Sequence, residues 1–163
     1  MTSGFEDRKE SDLRSLIRRD LLSSIKNPNT DLSKTRKLVE QWVGYFGDEV
    51  HITVQVIIPV ALPPGRKEGH CRAVVDKVLE RILNVSGGFT ASSVMGGWLD
   101  ESVLYTDRSI LIQSAIRIDL WEEIGSVLRS VVEDIQRDLR QRCVFLTVDN
   151  IPFGEPIDVL DPD

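Results

Sequence analysis

The chain has 163 residues, of which 41% are hydrophobic and 28% are charged, a composition typical of a globular protein. This length fits one domain and is sufficient for a core that needs neither disulfides nor a structural metal. The net charge of −6 argues against a protein built mainly to bind a nucleic-acid backbone, because that task requires a basic surface.

The opening of the chain indicates the compartment. Residues 1–10 are polar and charged, without the apolar run of a secretory signal, and we expect them to be disordered. The longest apolar stretch, residues 54–62, is too short to cross a bilayer. Cys71 and Cys143 lie inside apolar segments and are expected to be reduced core thiols. These features together favour a cytoplasmic protein with no membrane association.

Residues 11–47 predict an N-terminal helical arm. Ser11 or Asp12 can cap a first helix, and Asn27-Pro28-Asn29 ends it because proline disfavours helix in the preceding residue. Asp31 can cap a second helix that ends at Gly47. Apolar residues at helical spacing mark the buried side of the first helix: Leu13, Leu16, Ile17, Leu21, Leu22 and Ile25.

Residues 51–150 predict the main domain, beginning with a strand from His51 whose alternate residues are apolar. A helix follows from Cys71 to Leu83, and glycines after Ser86 allow the chain to leave it, with Gly88 expected in a backbone conformation that suits only glycine. A second strand over 89–99 contains Gly96-Gly97, which predicts a bulge or a close backbone approach. The buried face of the first strand is expected to hold Ile52, Val54, Val56, Ile58 and Val60.

Asp100-Glu101-Ser102 is the expected turn into a third strand, which covers 103–105 and 110–118 with an interruption near Asp107. Asp119 is expected to cap a long helix that reaches Leu139. A last strand covers 143–148, and residues 151–163 are expected to form an extended tail. One apolar face runs along the long helix: Leu120, Trp121, Ile124, Val127, Leu128, Val131, Val132, Ile135 and Leu139.

The order strand, helix, strand, strand, helix, strand predicts an α+β fold of ferredoxin-like type. In this split βαβ (βαββαβ) arrangement, two helices cover one face of a four-stranded antiparallel sheet. Ile57, Leu111 and Ala115, with Phe89 or Trp98, are expected on the uncovered face. Since such a face is partly apolar, either the N-terminal helices or a second subunit should cover it.

A motif of five residues follows the first helix of this domain and resembles a motif of known proteins. Its residues are Gly87, Gly88, Thr90, Gly96 and Trp98. Their spacing, Gly-Gly-x-Thr-x5-Gly-x-Trp, resembles a family of uncharacterised bacterial proteins with ferredoxin-like domains. It is loosely similar to the PII signalling proteins, whose corresponding segment runs Gly-x-Thr-Val. The resemblance implies the fold. The long PII loop between the second and third strands is missing, and the nucleotide-binding residues of PII have no match, so ligand binding is not carried over.

The sequence raises three kinds of functional site: a catalytic cleft, a phosphate-binding loop and a metal site. Asp100, Glu101 and Asp107, with Arg108, could form an acidic catalytic cleft, although acidic residues at a hairpin usually only form the turn. The glycines of the motif follow a helix C-terminus, which is the wrong end of the dipole for a phosphate, so a structural role is favoured. No metal-ligand spacing is present, and neither a metal nor a cofactor is expected.

The sequence therefore favours a non-catalytic binding or regulatory module that acts through protein contacts. A homo-oligomer is expected, with a dimer favoured, and a different protein partner is possible. A small enzyme with an acidic cleft and a PII-like small-molecule sensor are the alternatives. Nucleic acid is an unlikely partner: although the arm carries basic residues, the RNA-recognition aromatics of such sheets are missing.

Overall fold

The computed structural model describes residues 3–47, 50–60, 68–139, 144–149 and 151–152. Two helices open the chain, and the elements after them follow in the order strand, helix, strand, strand, helix, strand, with a short fifth strand at the end. In chain order they are α1 (Ser3–Lys26), α2 (Ser33–Phe46), β1 (His51–Pro59), α3 (Glu68–Ser86), β2 (Thr90–Asp100), β3 (Val103–Arg117), a 3₁₀ turn (Ile118–Leu120), α4 (Trp121–Asp138), β4 (Phe145–Val148) and β5 (Ile151–Pro152).

The strands form one sheet in the order β2-β3-β1-β4-β5, with every neighbouring pair antiparallel. The first four strands and the helices α3 and α4 have the βαββαβ connectivity of the ferredoxin-like fold. The predicted fold class is confirmed. The fifth strand is an addition: Ile151 and Pro152 pair with Val148 and Thr147, at the start of the segment expected to be an extended tail.

Strand β1 lies at the centre of the sheet and shows why this sequence forms a strand. Ile52, Val54, Val56 and Ile58 are buried, whereas the residues between them are only half-buried. Alternation of this kind places one face on the core, and each buried aliphatic side chain contributes roughly 1.5–3 kcal/mol. The predicted buried face of β1 is thus present from Ile52 to Ile58, and Val60 lies beyond the end of the strand.

Helix α4 packs on this face with the predicted apolar stripe. Trp121, Ile124, Leu128 and Val131 are among its fully buried residues. The predicted cap at Asp119 is wrong: a 3₁₀ turn precedes the helix, Leu120 is the N-cap, and the Asp119 carboxylate instead accepts hydrogen bonds from the Arg117 guanidinium at 2.7 and 3.0 Å.

The N-terminal arm packs on α4. Helix α1 begins at Ser3 and so includes most of the segment that the sequence predicts to be disordered, and it runs through the expected caps Ser11 and Asp12. A Cβ atom at Gly125 of α4 would lie 3.1 Å from Cδ2 of Leu21, so the two helices approach closely at this point. The residues of α1 that enter the core are Leu13, Ile17, Leu21 and Ile25.

Polar contacts hold the arm in place. Arg14 donates one hydrogen bond to Asp149 (3.0 Å) and another to the His51 carbonyl (2.9 Å), which joins α1 to the ends of β4 and β1. The Arg129 guanidinium of α4 donates to the Ile25 carbonyl in the last turn of α1. The main packing partners of α1 are α4 and α2, so the arm covers the helical layer.

Helix α2 completes the arm. Asp31 accepts a hydrogen bond from the Ser33 backbone N–H at 3.0 Å, and this contact lowers the pKa of the Asp31 carboxyl. Arg36 makes a two-point ion pair with Glu122 of α4 (2.5–3.1 Å). Gly47 ends the helix, as predicted, with a φ of 79°.

The second and third strands differ from the prediction. The pairing of β2 with β3 runs without a shift from Thr90 opposite Gln113 to Asp100 opposite Val103, so there is no bulge at Gly96-Gly97 and no break at Asp107. Asp107, which suggested the interruption, pairs with Gly96 as a regular member of β3.

Candidate functional site

The hairpin of β2 and β3 projects beyond the rest of the sheet. The pairing of β1 with β3 ends where Pro59 lies opposite Ser109. Strands β2 and β3 continue from there as a two-stranded ribbon, from the pair Met95–Arg108 to the turn. No other described strand pairs with this ribbon, whose base accepts one hydrogen bond, from the Val60 N–H to the Arg108 carbonyl at 2.9 Å.

Three apolar side chains on one face of this ribbon are strongly exposed. Leu99 and Leu104 lie directly opposite each other, with 72% and 65% of their surface exposed, and Met95, four residues before Leu99, is 77% exposed. We call these three residues the hairpin patch. The exposed Arg108 lies opposite Met95 on the same face, and exposed apolar side chains with polar residues at their rim are typical of an interaction site.

The turn that closes the ribbon consists of Glu101 and Ser102. Both residues have positive φ values, 48° and 69°. This is the geometry of the tight two-residue turns whose twist matches that of the strands they join, and such turns usually contain asparagine or glycine. Glu101 is exposed, so the end of the ribbon carries negative charge.

The proposed catalytic residues are distributed along this ribbon. Glu101 is at its tip and Arg108 is exposed near its base, while the side chains of Asp100 and Asp107 lie outside the described part. Asp100 pairs with Val103, four residues before Asp107, so the two backbone positions are about 13 Å apart at ~3.3 Å per residue. Carboxylates that share a proton lie about 3 Å apart. The described backbone does not bring these residues together.

The glycine motif forms the turn after α3. Gly87 has a φ of 78° and is the residue that needs glycine, whereas the sequence pointed to Gly88. The carbonyl of Gly88 accepts hydrogen bonds from the hydroxyls of Ser114 (2.6 Å) and Ser86 (2.7 Å), which hold this turn against β3. Thr90 begins β2, Gly96 lies in the ribbon, and the Trp98 side chain is outside the described part.

An open polar cavity of about 460 Å³ lies beside this turn. The Thr147 hydroxyl donates to Oε1 of Gln55 (2.9 Å), and the Gln55 amide donates to Oε1 of Gln113 (3.2 Å). This chain fixes the orientation of the Gln113 amide, so its Nε2 group is the end that can donate to a bound molecule. The cavity is lined by Ser86, Gly87, Gly88, Phe89, Thr90, Gln113, Ser114 and Ala115.

A second, apolar groove separates α1 from α2, with a cavity of about 260 Å³. Trp42 and Phe46 form its aromatic wall, with ring centroids 4.3 Å apart, and Tyr45 beside them is 85% exposed. This groove was not identifiable from the sequence pattern. The residues that line it are Lys9, Asp12, Leu13, Leu16, Leu38, Gln41, Trp42, Tyr45 and Phe46.

The most buried carboxylate with several cationic neighbours belongs to the scaffold. Asp134 of α4 is 4% exposed and accepts from Arg81 of α3 (2.5 Å) and from Arg137 (2.6 Å), with the Lys77 ammonium 3.5 Å away. Because Arg81 and Lys77 belong to α3, the cluster ties the two helices together. The sequence analysis did not identify it, since its members lie more than fifty residues apart.

The described part of the chain gives little support for a metal site or a membrane-spanning helix. Within it, no three His, Cys, Asp or Glu side chains are placed to hold a metal ion. His51 is exposed, and the side chains of His70, Cys71 and Cys143 lie outside the described part. None of the described helices combines the length and the apolar character required to span a bilayer.

No family model and no curated protein matches this sequence. Similar solved structures include the periplasmic divalent cation tolerance protein CutA from Archaeoglobus fulgidus, at 9% identity and a TM-score of 0.38, over 66% of this chain and 88% of that one. A phage SAM lyase in the apo state is similar at 15% identity and a TM-score of 0.42, over 66% and 84%. CutA1 from Ehrlichia chaffeensis follows at 10% identity and a TM-score of 0.37, over 66% and 85%. The strand order itself shows the ferredoxin-like fold, and the resemblance to the bacterial family and to PII stays a prediction.

Proposed function

We propose that the protein is a non-catalytic binding module that acts through protein contacts, and that the hairpin patch is its contact surface. The main observation in support is the exposure of Met95, Leu99 and Leu104 on one face of a ribbon that projects from the sheet. Burying a leucine or methionine side chain contributes roughly 1.5–3 kcal/mol, and a monomer forgoes this energy at all three positions.

The first partner to consider is another copy of the same chain, with a dimer favoured. Among the described strands β2 lies at one edge of the sheet, and an edge strand presents backbone groups that can pair with another chain. A nucleic-acid partner has less support, because the net charge is −6 and the ribbon ends in an acidic turn. Symmetric association also matches the prevalence of closed homo-oligomers among soluble proteins.

The experiment compares the natural chain with a triple variant, Met95→Ser, Leu99→Ser and Leu104→Ser, by sedimentation over the micromolar range. We expect the natural chain to associate and the triple variant to sediment as a monomer with an unchanged melting temperature. Leu83→Ser is the control, because Leu83 is an exposed leucine (43%) on α3, away from the ribbon. A monomeric natural chain across the whole range would reject self-association through the hairpin.

A small-molecule sensor is the second candidate, and the cavity beside Gly87 and Gly88 supports it. The oriented Gln113 amide and the partly exposed Phe89 ring suit a planar, uncharged ligand with a hydrogen-bond acceptor. A thermal-shift screen of such ligands should find some that raise the melting temperature of the natural chain, because a ligand bound only by the folded state stabilises it. The same ligands should not stabilise a Gln113→Ala variant.

A further inference from the structure

We propose that the hairpin patch of one copy docks into the groove between α1 and α2 of a second copy. The inference rests on the proposed function and names the surface that receives the hairpin. The two features have opposite shapes: the hairpin patch is convex and carries Met95, Leu99 and Leu104, and the groove is concave and is lined by Leu16, Leu38 and the aromatic wall.

The groove has room for the side chains of the patch. Its cavity measures about 260 Å³. An apolar cavity of roughly 150 Å³ in a protein interior accommodates a benzene-sized molecule. Two side chains of the size of leucine or methionine can therefore enter the groove without displacing its walls.

The chemistry of the two surfaces is also matched. The groove presents the Trp42 and Phe46 rings with Tyr45 beside them, and a methionine thioether makes favourable contacts with aromatic rings. Methionine at position 95 can adapt its unbranched side chain to such a wall, and one of the two leucines, Leu99 or Leu104, suits the aliphatic part.

Charges favour the same arrangement. The exposed Glu101 stands at the tip of the ribbon, next to Asp100 in the chain. On α2, exposed Lys34 lies one helical turn before Leu38, and exposed Lys37 lies one turn before Gln41, so both lysines flank residues that line the groove. The lining itself carries one charge of each sign, Lys9 and Asp12, so the acidic ribbon tip is attracted to the end of the groove that Lys34 and Lys37 flank.

The sheet face opposite α3 and α4 is a weaker receptor for the patch. Ile57 and Leu111 are half-buried against each other there and Phe145, opposite Ile57, is 44% exposed, but the hydrogen-bonded chain of Thr147, Gln55 and Gln113 crosses the centre of this face. Covering these polar groups with an apolar ribbon would remove water from them without supplying new partners.

A complementation experiment tests the inference. The hairpin variant is the triple serine variant described above, and the groove variant is Tyr45→Ser with Phe46→Ser. Each variant alone should sediment as a monomer, because one half of every contact is damaged. An equimolar mixture should associate again, since the intact hairpin of the groove variant meets the intact groove of the hairpin variant. Far-UV circular dichroism and melting temperatures establish that both variants are folded.

A control variant makes the result specific. Phe145→Ser removes a phenylalanine of the sheet that is 44% exposed, the same fraction as Phe46, and should leave association unchanged. If the groove variant associates like the natural chain, or if the mixture stays monomeric, the docking inference is overturned, and the hairpin contact survives as long as the hairpin variant alone loses association. If the natural chain is monomeric, the proposed function fails together with the inference.

Discussion

Gly87 shows how a single backbone angle limits which residue can occupy the turn after α3. Its φ of 78° lies in the left-handed region, where side chains with a Cβ atom are strained, and Gly88 next to it has no positive φ. A Cβ atom at either position would meet no other atom within 4 Å. The two glycines therefore differ in conformation and not in available space.

We expect Gly87→Val to lower the free energy of unfolding by about 1–3 kcal/mol, because a β-branched residue is forced into an unfavourable conformation. Gly88→Val is the matched control and should cost less. Urea denaturation of the two variants measures the difference. Equal midpoints, or a larger loss at Gly88, would contradict this account of the turn.

The sequence predicted Gly88 for this role because a helix end cannot be placed to one residue from composition alone. The helix ends at Ser86, which makes Gly87 the first residue beyond it, the position where a left-handed conformation commonly ends a helix. Once the end of the helix is placed at Ser86, Gly87 is identified as the glycine with the left-handed conformation.

Among the elements, helices α3 and α4 are joined by the buried carboxylate of Asp134 as well as by apolar packing. This carboxylate accepts hydrogen bonds from two arginines, one on each helix, and the contacts to Arg81 and Lys77 span the pair. Both cations of α3 keep part of their surface in water, so removing the carboxylate does not leave them buried and uncompensated.

Asp134→Ala is expected to lower the free energy of unfolding by about 1.5–3 kcal/mol, the range for hydrogen bonds to charged groups. Asp138→Ala is the control on the same helix, since that carboxylate is 41% exposed and lies 3.6 Å from Arg137. Thermal unfolding of both variants provides the test. A loss at Asp138 as large as that at Asp134 would show that the cluster has no special role in joining the helices.

The elements that pack on the core were predictable, and the projecting ones were not. The alternation of Ile52, Val54, Val56 and Ile58 and the stripe of α4 carry the periods of a strand and a helix because one face of each is buried. Beyond Met95, both faces of the ribbon are outside the core, so the residue pattern carries no such period. The hairpin patch and the long-range Asp134 cluster therefore emerge only from the folded arrangement.

At the scale of the whole molecule, the N-terminal arm is part of the core. Leu13, Ile17, Leu21 and Ile25 are buried, and at roughly 1.5–3 kcal/mol for each side chain they account for an energy comparable to the total stability of a domain, about 5–15 kcal/mol. The arm packs on α4, so its loss exposes the apolar surface of that helix.

Deleting residues 1–46 should therefore abolish the cooperative thermal transition and leave a poorly soluble chain. Deleting only residues 1–8 is the control, because Leu13 is the first buried residue among the α1 side chains that the structure describes, and this shorter deletion should keep the transition. Calorimetry of the two truncated chains measures the outcome. A soluble chain from residue 47 onwards with an undiminished melting temperature would show that the arm does not belong to the core.

The ion pair between Arg14 and Asp149 has a consequence for synthesis on the ribosome. Its two partners are separated by 135 positions in the chain, and Arg129 and Ile25, which also join α1 to later elements, by 104. Helix α1 leaves the ribosome before α4 and β4, which carry the surfaces that receive it. Its apolar stripe must stay without its final neighbours while almost the whole domain is translated, which is the period when exposed apolar surface invites aggregation and chaperones bind. Translation speed and chaperone supply should therefore have a larger effect on the yield of folded protein than on the stability of the protein once it has folded.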